Sequence, residues 1–463
     1  MKIVVCVRKG RNGEISPFEA SAYEAALRQK DAEVILVSMG PDSSAEYLRS
    51  LTRLGAKKAI LLSDKYFAGS DTLVTAYVLS LAINMIKPDY VFCGRQTLEG
   101  DTGQTGPMLS SLCGFNTVTE SMGVEATENE AVCQTRFEGE IRVSSPALIT
   151  FERFAELRLP GLFSKVGELE IWNAEKIGAD VSLCGLKGSP TRVLESFENQ
   201  SGKRKCVFKD VSELKDVIKS VLSVQQEKVK QENTSDKRMS KVWIVGEKPM
   251  SFAKLVSDDI TTIELDEPDK MAERIANEKP NAVLWATDSK SKRTASIVAA
   301  KLKLGLCADC THLETDGQDL FMYRPALSGS VIAKIKSLTL PVMATVRTEE
   351  NTKEQIVVAA GYGAYKDLEA IKDFADSIGA GIASSRRIVD NGLMTYDTQV
   401  GLTGKIISPK LYIAVGISGA VQHLVGMQNS GVIIAINPDK SAPIFEYADY
   451  GFITEAENLK NMF

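Results

Sequence analysis

Histidine is almost absent: the 463 residues contain two, His312 and His423. Hydrolytic and proton-shuttling mechanisms lean on imidazole, so the shortage tilts against catalytic triads and histidine-built metal sites. Chemistry carried by a bound cofactor is the expectation left standing. No run approaches about 18 uninterrupted apolar residues, so no membrane span is expected. Neither sign of charge dominates: 55 Lys and Arg face 60 Asp and Glu, a net charge of −5. No basic surface for nucleic acid or anionic lipid is implied, and small molecules and proteins are the expected partners. Eight cysteines are scattered at positions 6, 93, 113, 133, 184, 206, 307 and 310 without the spacing of a disulfide framework. A reducing, cytoplasmic setting fits them. Only Cys307 and Cys310 form a C-x-x-C, and a four-thiolate site needs a second pair, so no metal is expected. The opening MKIVVCVRKGRNGE enters a strand pattern at once, without the layout of a secretory leader.

What is present is an ordinary globular composition, 44% hydrophobic and 25% charged, in a chain long enough for roughly two to four domains. Short β-branched runs alternate with amphipathic stretches, the pattern of parallel α/β units. IVVCV (3–7), EVILVSM (33–39), KAILLS (58–63) and DYVFCG (89–94) read as strands, and Phe18 to Arg28 and Thr72 to Ile86 as helices. Near-continuous apolar strands predict a sheet covered on both faces. The chain also resembles itself. KPDYVFCGRQ (87–96) and KPNAVLWATD (279–288) each follow an amphipathic stretch, and about sixty residues later come the Pro-led strands SPALITFER (145–153) and LPVMATVRT (340–348). Both copies begin with a strand, KIVVCV (2–7) and KVWIVG (241–246). Two copies of one open-sheet domain are therefore expected, joined through a Gly- and Pro-punctuated arm (184–210), a short helix from Ser212 to Val224 and a polar linker around 223–241. From about Asn351 the composition turns to Gly-rich strand and turn motifs. The expected division is 1–185, 186–240, 241–350 and 351–463.

Three stretches could carry a ligand. LYIAVGISGAVQHLVGMQNSGVIIAINPD (411–439) reads as strand, tight turn, helix and strand. Such a unit presents unpaired N–H groups to an anion. Gly416 and Gly419 permit close backbone approach, Ser418 adds a hydroxyl, and His423 sits in the first turns of the expected helix. A plain packed βαβ turn is the other reading. SIGAGIASSRRIVDNG (377–392) and QVGLTGK (399–405) add serines, arginines and the Gly-bounded Thr403, a set suited to an anionic nucleotide; an exposed basic turn is the alternative. In the first copy, CGRQTLEGDTGQTGP (93–107) gathers Arg95, Gln96, Asp101, Thr102, Gln104 and Thr105 at a strand's carboxyl end, where open α/β sheets bind ligands. The matching WATDSKSKRTAS (285–296) lacks the Gly-Gln-Thr-Gly cluster, so one copy is read as the nucleotide site and the other as scaffold.

These motifs resemble a known family. SSRRIVD, QVGLTGK, LYIAVGISGAVQHLVGM, IIAINPD and APIFEYADYG (442–451) are similar to the flavin-binding domain of the α subunit of electron-transfer flavoproteins. ADCTHLETD (308–316), RPALSGSVIAKI (324–335) and VMATVR (342–347) resemble that subunit's first domain. IVVCV, VSMGP (37–41), CGRQTLEGDTGQTGP and LRLPGLFSK (157–165) resemble the β subunit. The resemblance implies an α/β chain with β and α halves fused: two pseudo-repeated open parallel-sheet domains, Rossmann-like or adenine-nucleotide α-hydrolase-like, then a doubly wound FAD-binding domain. It implies FAD there, with Ser385 and Arg386 beside the ring, Thr403 near N5 and His423 near O2. Gln399, Val400, Gly401, Gly404, Gly416, Ser418, Gly419, Gln422, Asn437 and Asp449 complete the implied set. Leu402 and Tyr362 stand where the family usually has Gln and Arg.

In the β-like half the resemblance implies a second nucleotide, AMP or a second FAD. Its implied contacts are Cys6, Val7, Ser38, Met39, Asp64, Asp71, Thr72, Gly94, Arg95, Gln96, Asp101, Thr102, Gln104 and Thr105. SDKYFAGSDTLVTAY (63–77) is similar to the electron-bifurcating branch, which implies the second FAD, NADH as electron donor, and ferredoxin or flavodoxin among the acceptors. Leu159 matches the anchor of a loop that docks flavin dehydrogenases of acyl-CoA dehydrogenase or other type. The implied function is electron transfer between protein partners; whether the chain is itself an enzyme turns on NADH oxidation. A redox-inactive adenine-nucleotide sensor is the rival class.

Overall fold

The structure, a computed structural model, describes residues 1–10, 13–97, 99–198, 203–223, 237–327, 329, 331–347, 355–402 and 404–461. Most of the expected polar linker and Thr403 lie outside the described residues. The chain forms two compact units. The first takes Met1–Ser196 with the described parts of 232–327 and Ala333–Arg347, so both open-sheet copies belong to one body. The second takes the described parts of 197–231, 328–332 and 348–463, so the later part of the arm and the helix after it belong with the C-terminal sheet.

In the first unit, a nine-stranded sheet is ordered Gly139–Ser144, Glu130–Thr135, Asn116–Ala126, Ala147–Phe151, Tyr90–Gly94, Lys2–Cys6, Glu33–Met39, Lys58–Leu62, Glu168–Trp172. It is parallel from Asn116–Ala126 onward, and the first two strands are an antiparallel extension. The second copy's sheet runs Ile260–Ile263, Val242–Val245, Ala282–Trp285, Val342–Val346, Leu306–Cys310, all parallel. That order repeats the first copy's Glu33, Lys2, Tyr90, Ala147 and Asn116 strands. The copies agree in finer detail. Helices Thr72–Ile86 and Pro268–Glu278 both end on a left-handed lysine, Lys87 and Lys279. The Asn116 and Leu306 strands both shift register, between Val118 and Ser121 and between Cys307 and Cys310, and there Glu120 (φ 61°) and Asp309 (φ 55°) adopt left-handed backbone. Each of those amides donates to a threonine hydroxyl on the neighbouring strand, Thr150 at 3.0 Å and Thr345 at 2.8 Å. Bulges of this kind re-aim a side chain at a strand end, and here both turn a carboxylate inward, buried.

One apolar core joins the copies, with Val78, Ile83 and Met108 of the first and Trp243, Trp285 and Val298 of the second in the same cluster. A buried side chain of this size is worth roughly 1.5–3 kcal/mol. That shared core is why neither sheet is a separate body.

The second unit is built on a six-stranded parallel sheet ordered Val207–Phe208, Tyr450–Phe452, Val432–Ile436, Leu411–Val415, Ile356–Ala360, Gly381–Ser384. The arm thus supplies an edge strand. It also supplies helix Leu214–Ser223, whose Leu214, Val217, Ile218 and Val221 are buried at helical spacing. Asp210 and Glu213 form a capping box just before it.

Candidate functional site

In the second unit the chain leaves strand Leu411–Val415 through Gly416 and Gly419, both with positive φ (64° and 91°). A side chain at Gly361 would meet the Gly416 carbonyl at 2.1 Å, and one at Gly419 the Ile444 amide at 2.2 Å; the turn needs glycine because backbones touch there. The helix expected after the turn is one turn only, Val421–Leu424. Gly426 explains the stop: a Cβ there would lie 2.3 Å from the Gly401 amide, so the chain bends to lie against the 399–405 loop. A helix dipole is therefore no part of this site, and backbone amides and side chains must do the recognition.

The expected residues converge unevenly. His423 is 6% exposed, its Nε2 2.8 Å from the Tyr412 hydroxyl, and Nδ1 makes no protein hydrogen bond of ordinary geometry. Burial lowers its pKa to about 4, with the Val400 backbone pulling weakly the other way, so the ring is neutral at pH 7. Ser385 Oγ is also buried without a protein partner. Arg386 pairs with Asp390 at 3.3 Å. Gln399 and Val400 are buried, and the Val400 amide bonds Ser384 O at 3.0 Å. Gly401 and Gly404 hold that loop closed, with Gly404 N bonding Gly401 O at 3.0 Å. Ser418 and Gln422 have exposed side chains; their carbonyls take the Ile444 and Leu402 amides. Asn437 supports the turn from below, donating to Ile417 O at 3.0 Å. Tyr362 stacks under Arg387, whose guanidinium carbon is 3.9 Å from the ring centroid.

Asp449 stands apart. It precedes strand Tyr450–Phe452 and so lies at the amino-terminal edge of the parallel sheet, whereas Gly416 and Asn437 lie at the carboxyl edge. Its carboxylate is taken by Arg204 and by the Ile433 amide at 2.8 Å. Arg204 also donates to the carbonyls of Gln428, Ser430 and Gly431, so this pair ties the arm to the sheet.

The first unit holds a cavity of about 340 Å³ at the carboxyl ends of the Lys2 and Tyr90 strands. Cys6, Val7, Met39, Gly94, Arg95 and Gln96 line it, as do Asp71, Thr72, Thr102, Gln104 and Thr105. Three expected residues do not reach its wall. Val37 and Met39 face the cavity, so strand alternation turns Ser38 to the opposite side. Asp64 spends its carboxylate on the amides of Tyr66 (3.1 Å) and Ala174 (3.0 Å). Asp101 sits behind Gln96, accepting from its Nε2 at 2.6 Å. Burial raises its pKa to about 6 against the opposing pull of Arg324 and Arg95. Asp71 does double duty: it caps helix Thr72–Ile86 through Val74 N (3.0 Å) and holds Thr191 Oγ1 at 2.7 Å.

Sequence reading missed Arg8, Glu19, Cys307 and Arg324 on the wall. Glu19 is 6% exposed, and burial pushes its pKa up to about 8 despite the nearby Arg8 amide and guanidinium. The signal was faint: it lies in an apolar helix face, PFEASAYEAALR, and only Gly94 hints at contact, since a Cβ there would meet the Glu19 amide at 2.8 Å. Deeper in, Arg95 lies 3.2 Å from Glu152 and 3.7 Å from Glu120, and Arg136 3.3 Å from Glu152. Lys292 holds Asp309 at 2.8 Å and Arg347 approaches it at 3.5 Å. Burial opposes the Asp309 charge, but those cations win and bring its pKa to about 2. Donors remain over: Arg95 Nη2, Gln104 Nε2 and Arg324 Nη2 are buried without protein partners, an arrangement that costs about 1–3 kcal/mol per group unless something accepts from it.

Elsewhere in the first unit, the 157–165 loop projects Leu159, Leu162 and Phe163, which are 88%, 89% and 92% exposed. Among the described residues no group of three or more His, Cys, Asp or Glu is arranged to hold a metal, and no helix is long and apolar enough to cross a membrane.

An open α/β chain with a glycine-cradled turn in one unit and a donor-rich cavity in the other defines a class, the nucleotide-cofactor proteins. Comparison with known proteins narrows it. Residues 351–428 match the electron transfer flavoprotein FAD-binding domain, and residues 3–152 and 268–373 the electron transfer flavoprotein domain. Protein FixA of Azorhizobium caulinodans is 37% identical over 227 residues, covering 45% of this chain and 81% of that protein. The electron transfer flavoprotein subunit alpha of Thermoanaerobacterium thermosaccharolyticum is 37% identical over 221 residues, covering 38% of this chain and 67% of the subunit. The corresponding subunit beta of Clostridium acetobutylicum is 34% identical over 223 residues, covering 45% and 85%. The chain belongs to the electron transfer flavoprotein family and carries α-subunit-like and β-subunit-like parts in one polypeptide.

The second unit fits FAD on its own structure. Ser385 Oγ is a buried polar atom without a protein partner and His423 Nδ1 makes no protein hydrogen bond of ordinary geometry, beside a turn whose Gly401, Gly416 and Gly419 let backbone pack closely.

Proposed function

We propose that this chain carries electrons between protein partners through FAD held in the second unit, and that a second adenine nucleotide occupies the first unit's cavity. The observation that carries the first part is the buried, unpartnered Ser385 Oγ, with the buried His423 ring whose Nδ1 makes no protein hydrogen bond of ordinary geometry, inside the segment matching the FAD-binding domain. FAD, when bound, supplies the capacity to take and release electrons. The protein's part is positional. Tyr412 fixes the His423 ring through Nε2, and the neutral imidazole offers Nδ1 to the cofactor without adding a buried charge. Ser385 and the 399–405 loop, with Thr403, complete the hold, and Arg386 supplies a nearby positive charge.

For the cavity, its lining supports the adenylate portion that AMP and FAD share. The reading extends to a second FAD that oxidises NADH and divides electrons between acceptors, one of them a ferredoxin or flavodoxin; the 63–77 stretch favours it, although Asp64 and much of Asp71 are committed to backbone. The electron donor is then NADH, and the docking partner a flavin dehydrogenase, acyl-CoA dehydrogenase-like or other, that meets the exposed apolar loop around Leu159. The functional division is the β-like 1–185, the arm and linker 186–240, the α-like scaffold 241–350 and the FAD domain 351–463. A cytoplasmic location accords with eight free cysteines. Denaturing the purified chain and separating the released nucleotides tests the cofactor assignment on which the rest depends. Two FAD per chain supports the NADH-dividing version; one FAD with one AMP leaves the simple carrier; a colourless protein releasing only adenine nucleotide overturns electron transfer in favour of a sensor.

A further inference from the structure

The first copy's cavity is not closed by the first copy alone. Arg324, on strand Leu320–Ala326 of the second copy, lies on its wall at 6% exposure. Its Nε donates to Ala308 O at 2.8 Å, while Nη2 has no protein partner. The neighbouring carboxylates are partly engaged: Asp309 by Lys292 and Arg347, Glu120 and Glu152 by Arg95 and Arg136, and one oxygen of Asp101 by Gln96, which leaves Asp101 Oδ2 and Glu120 Oε2 unpaired. On the cavity wall itself the cations Arg8, Arg95 and Arg324 face the carboxyl groups of Glu19 and Asp71. Glu19 adds no negative charge at neutral pH, since burial keeps it protonated up to about 8. The three partnerless donors, two of them guanidinium nitrogens, belong to residues of that one wall and add unused hydrogen-bond donors suited to an oxyanion.

We propose that Arg324 holds the phosphate of the nucleotide bound in the first copy's cavity, so that the α-like half determines the preference for nucleotide over nucleoside in the β-like half. The inference rests on the reading that this cavity takes an adenine nucleotide. The full chain, with FAD in the second unit and the first unit's own nucleotide removed beforehand by exhaustive dialysis, is tested by equilibrium dialysis against AMP and against adenosine, as wild type, Arg324→Gln and Arg324→Lys. Arg324→Gln is expected to weaken AMP roughly tenfold or more while leaving adenosine within about twofold, with Arg324→Lys between, because charge survives and the planar fork does not. AMP affinity unchanged in both variants, or AMP and adenosine weakened equally, would overturn the proposal, the latter by showing a merely structural role. If Arg324→Gln fails to fold, as judged by circular dichroism and a lost cooperative urea transition, the Arg324→Lys ratio of AMP to adenosine affinity decides on the same criterion. Wild-type protein that binds neither ligand would instead remove the reading of the cavity itself.

Discussion

The two open-sheet copies share a strand order and a threonine-bound bulge, but differ in what fills the strand ends. Ile3 pairs with Tyr90 as Val242 pairs with Ala282, so Cys6 corresponds to Val245, Cys93 to Trp285 and Gly94 to Ala286. Cys6, Cys93 and Gly94 border the cavity; Trp285 at the equivalent place is fully buried in the apolar core. One copy is hollow because small residues stand where the other has an indole. The polar surroundings follow the same division. The bulge carboxylate Asp309 of the second copy and Glu120 of the first turn toward charged neighbours, yet only the first copy has the Gly-Gln-Thr-Gly loop that brings Gln104 to an open wall. A duplicated scaffold thus becomes a site or a support according to side-chain volume at two or three positions.

The largest effect expected comes from importing the second copy's residue. Cys93→Trp should fill the cavity and abolish AMP binding in dialysis, a loss of about a thousandfold or more, while FAD absorbance stays. Preserved AMP binding would break the comparison. The reciprocal change, Trp285→Cys, should lower stability by about 3–5 kcal/mol in urea unfolding, through lost transfer energy and a void, and should create no second nucleotide site, because the surrounding 285–296 loop lacks the donors. A cost under about 1 kcal/mol would mean that Trp285 does not fill the space.

Glu19 sharpens the contrast between the hollow copy and its twin by titration. Its folded pKa of about 8 lies above the unfolded value near 4.5, so the folded state binds the extra proton between those values. Its contribution therefore declines as pH rises from about 4.5 to 8, at about 1.4 kcal/mol per pH unit. Arg8, Glu99 and Tyr47 are the titratable groups that act on it. Glu19→Gln should remove that slope from the pH dependence of unfolding; an unaltered slope would show that the carboxyl is ionised in the fold. The smallest effect concerns the neutral site of the second unit. Tyr412→Phe should retain FAD, cost about 1–2 kcal/mol for one buried hydrogen bond, and shift the flavin's reduction potential and visible spectrum by releasing the His423 ring. Unchanged potential and spectrum would remove Tyr412 from the site.

Much of this was legible in the residues. Short, near-continuous apolar runs located the strands and helical spacing located helix Thr72–Ile86, and the paired Pro-led strands announced the duplication. The family resemblance rested on uninterrupted motifs such as LYIAVGISGAVQHLVGM. What sequence could not reveal was contact at a distance. Arg324 lies more than two hundred positions from the loop it faces, and Glu19 reads as an ordinary helix carboxylate until Gly94 is seen against its backbone. The helix expected after Gly419 is cut short by the Gly426–Gly401 contact, which no local pattern encodes. Asp449 follows a motif shared with the flavin domain, but strand direction puts it at the far edge of the sheet.

The central claim is that one chain holds two nucleotides in separate places, FAD at the Gly416 turn and an adenine nucleotide in the hollow copy. Quantifying the nucleotides released by denaturing the wild type and Cys93→Trp side by side tests it most directly. The account predicts two per wild-type chain, at least one of them FAD, and one FAD per chain in the variant. A single nucleotide in the wild type, or the same two in both proteins, would contradict it.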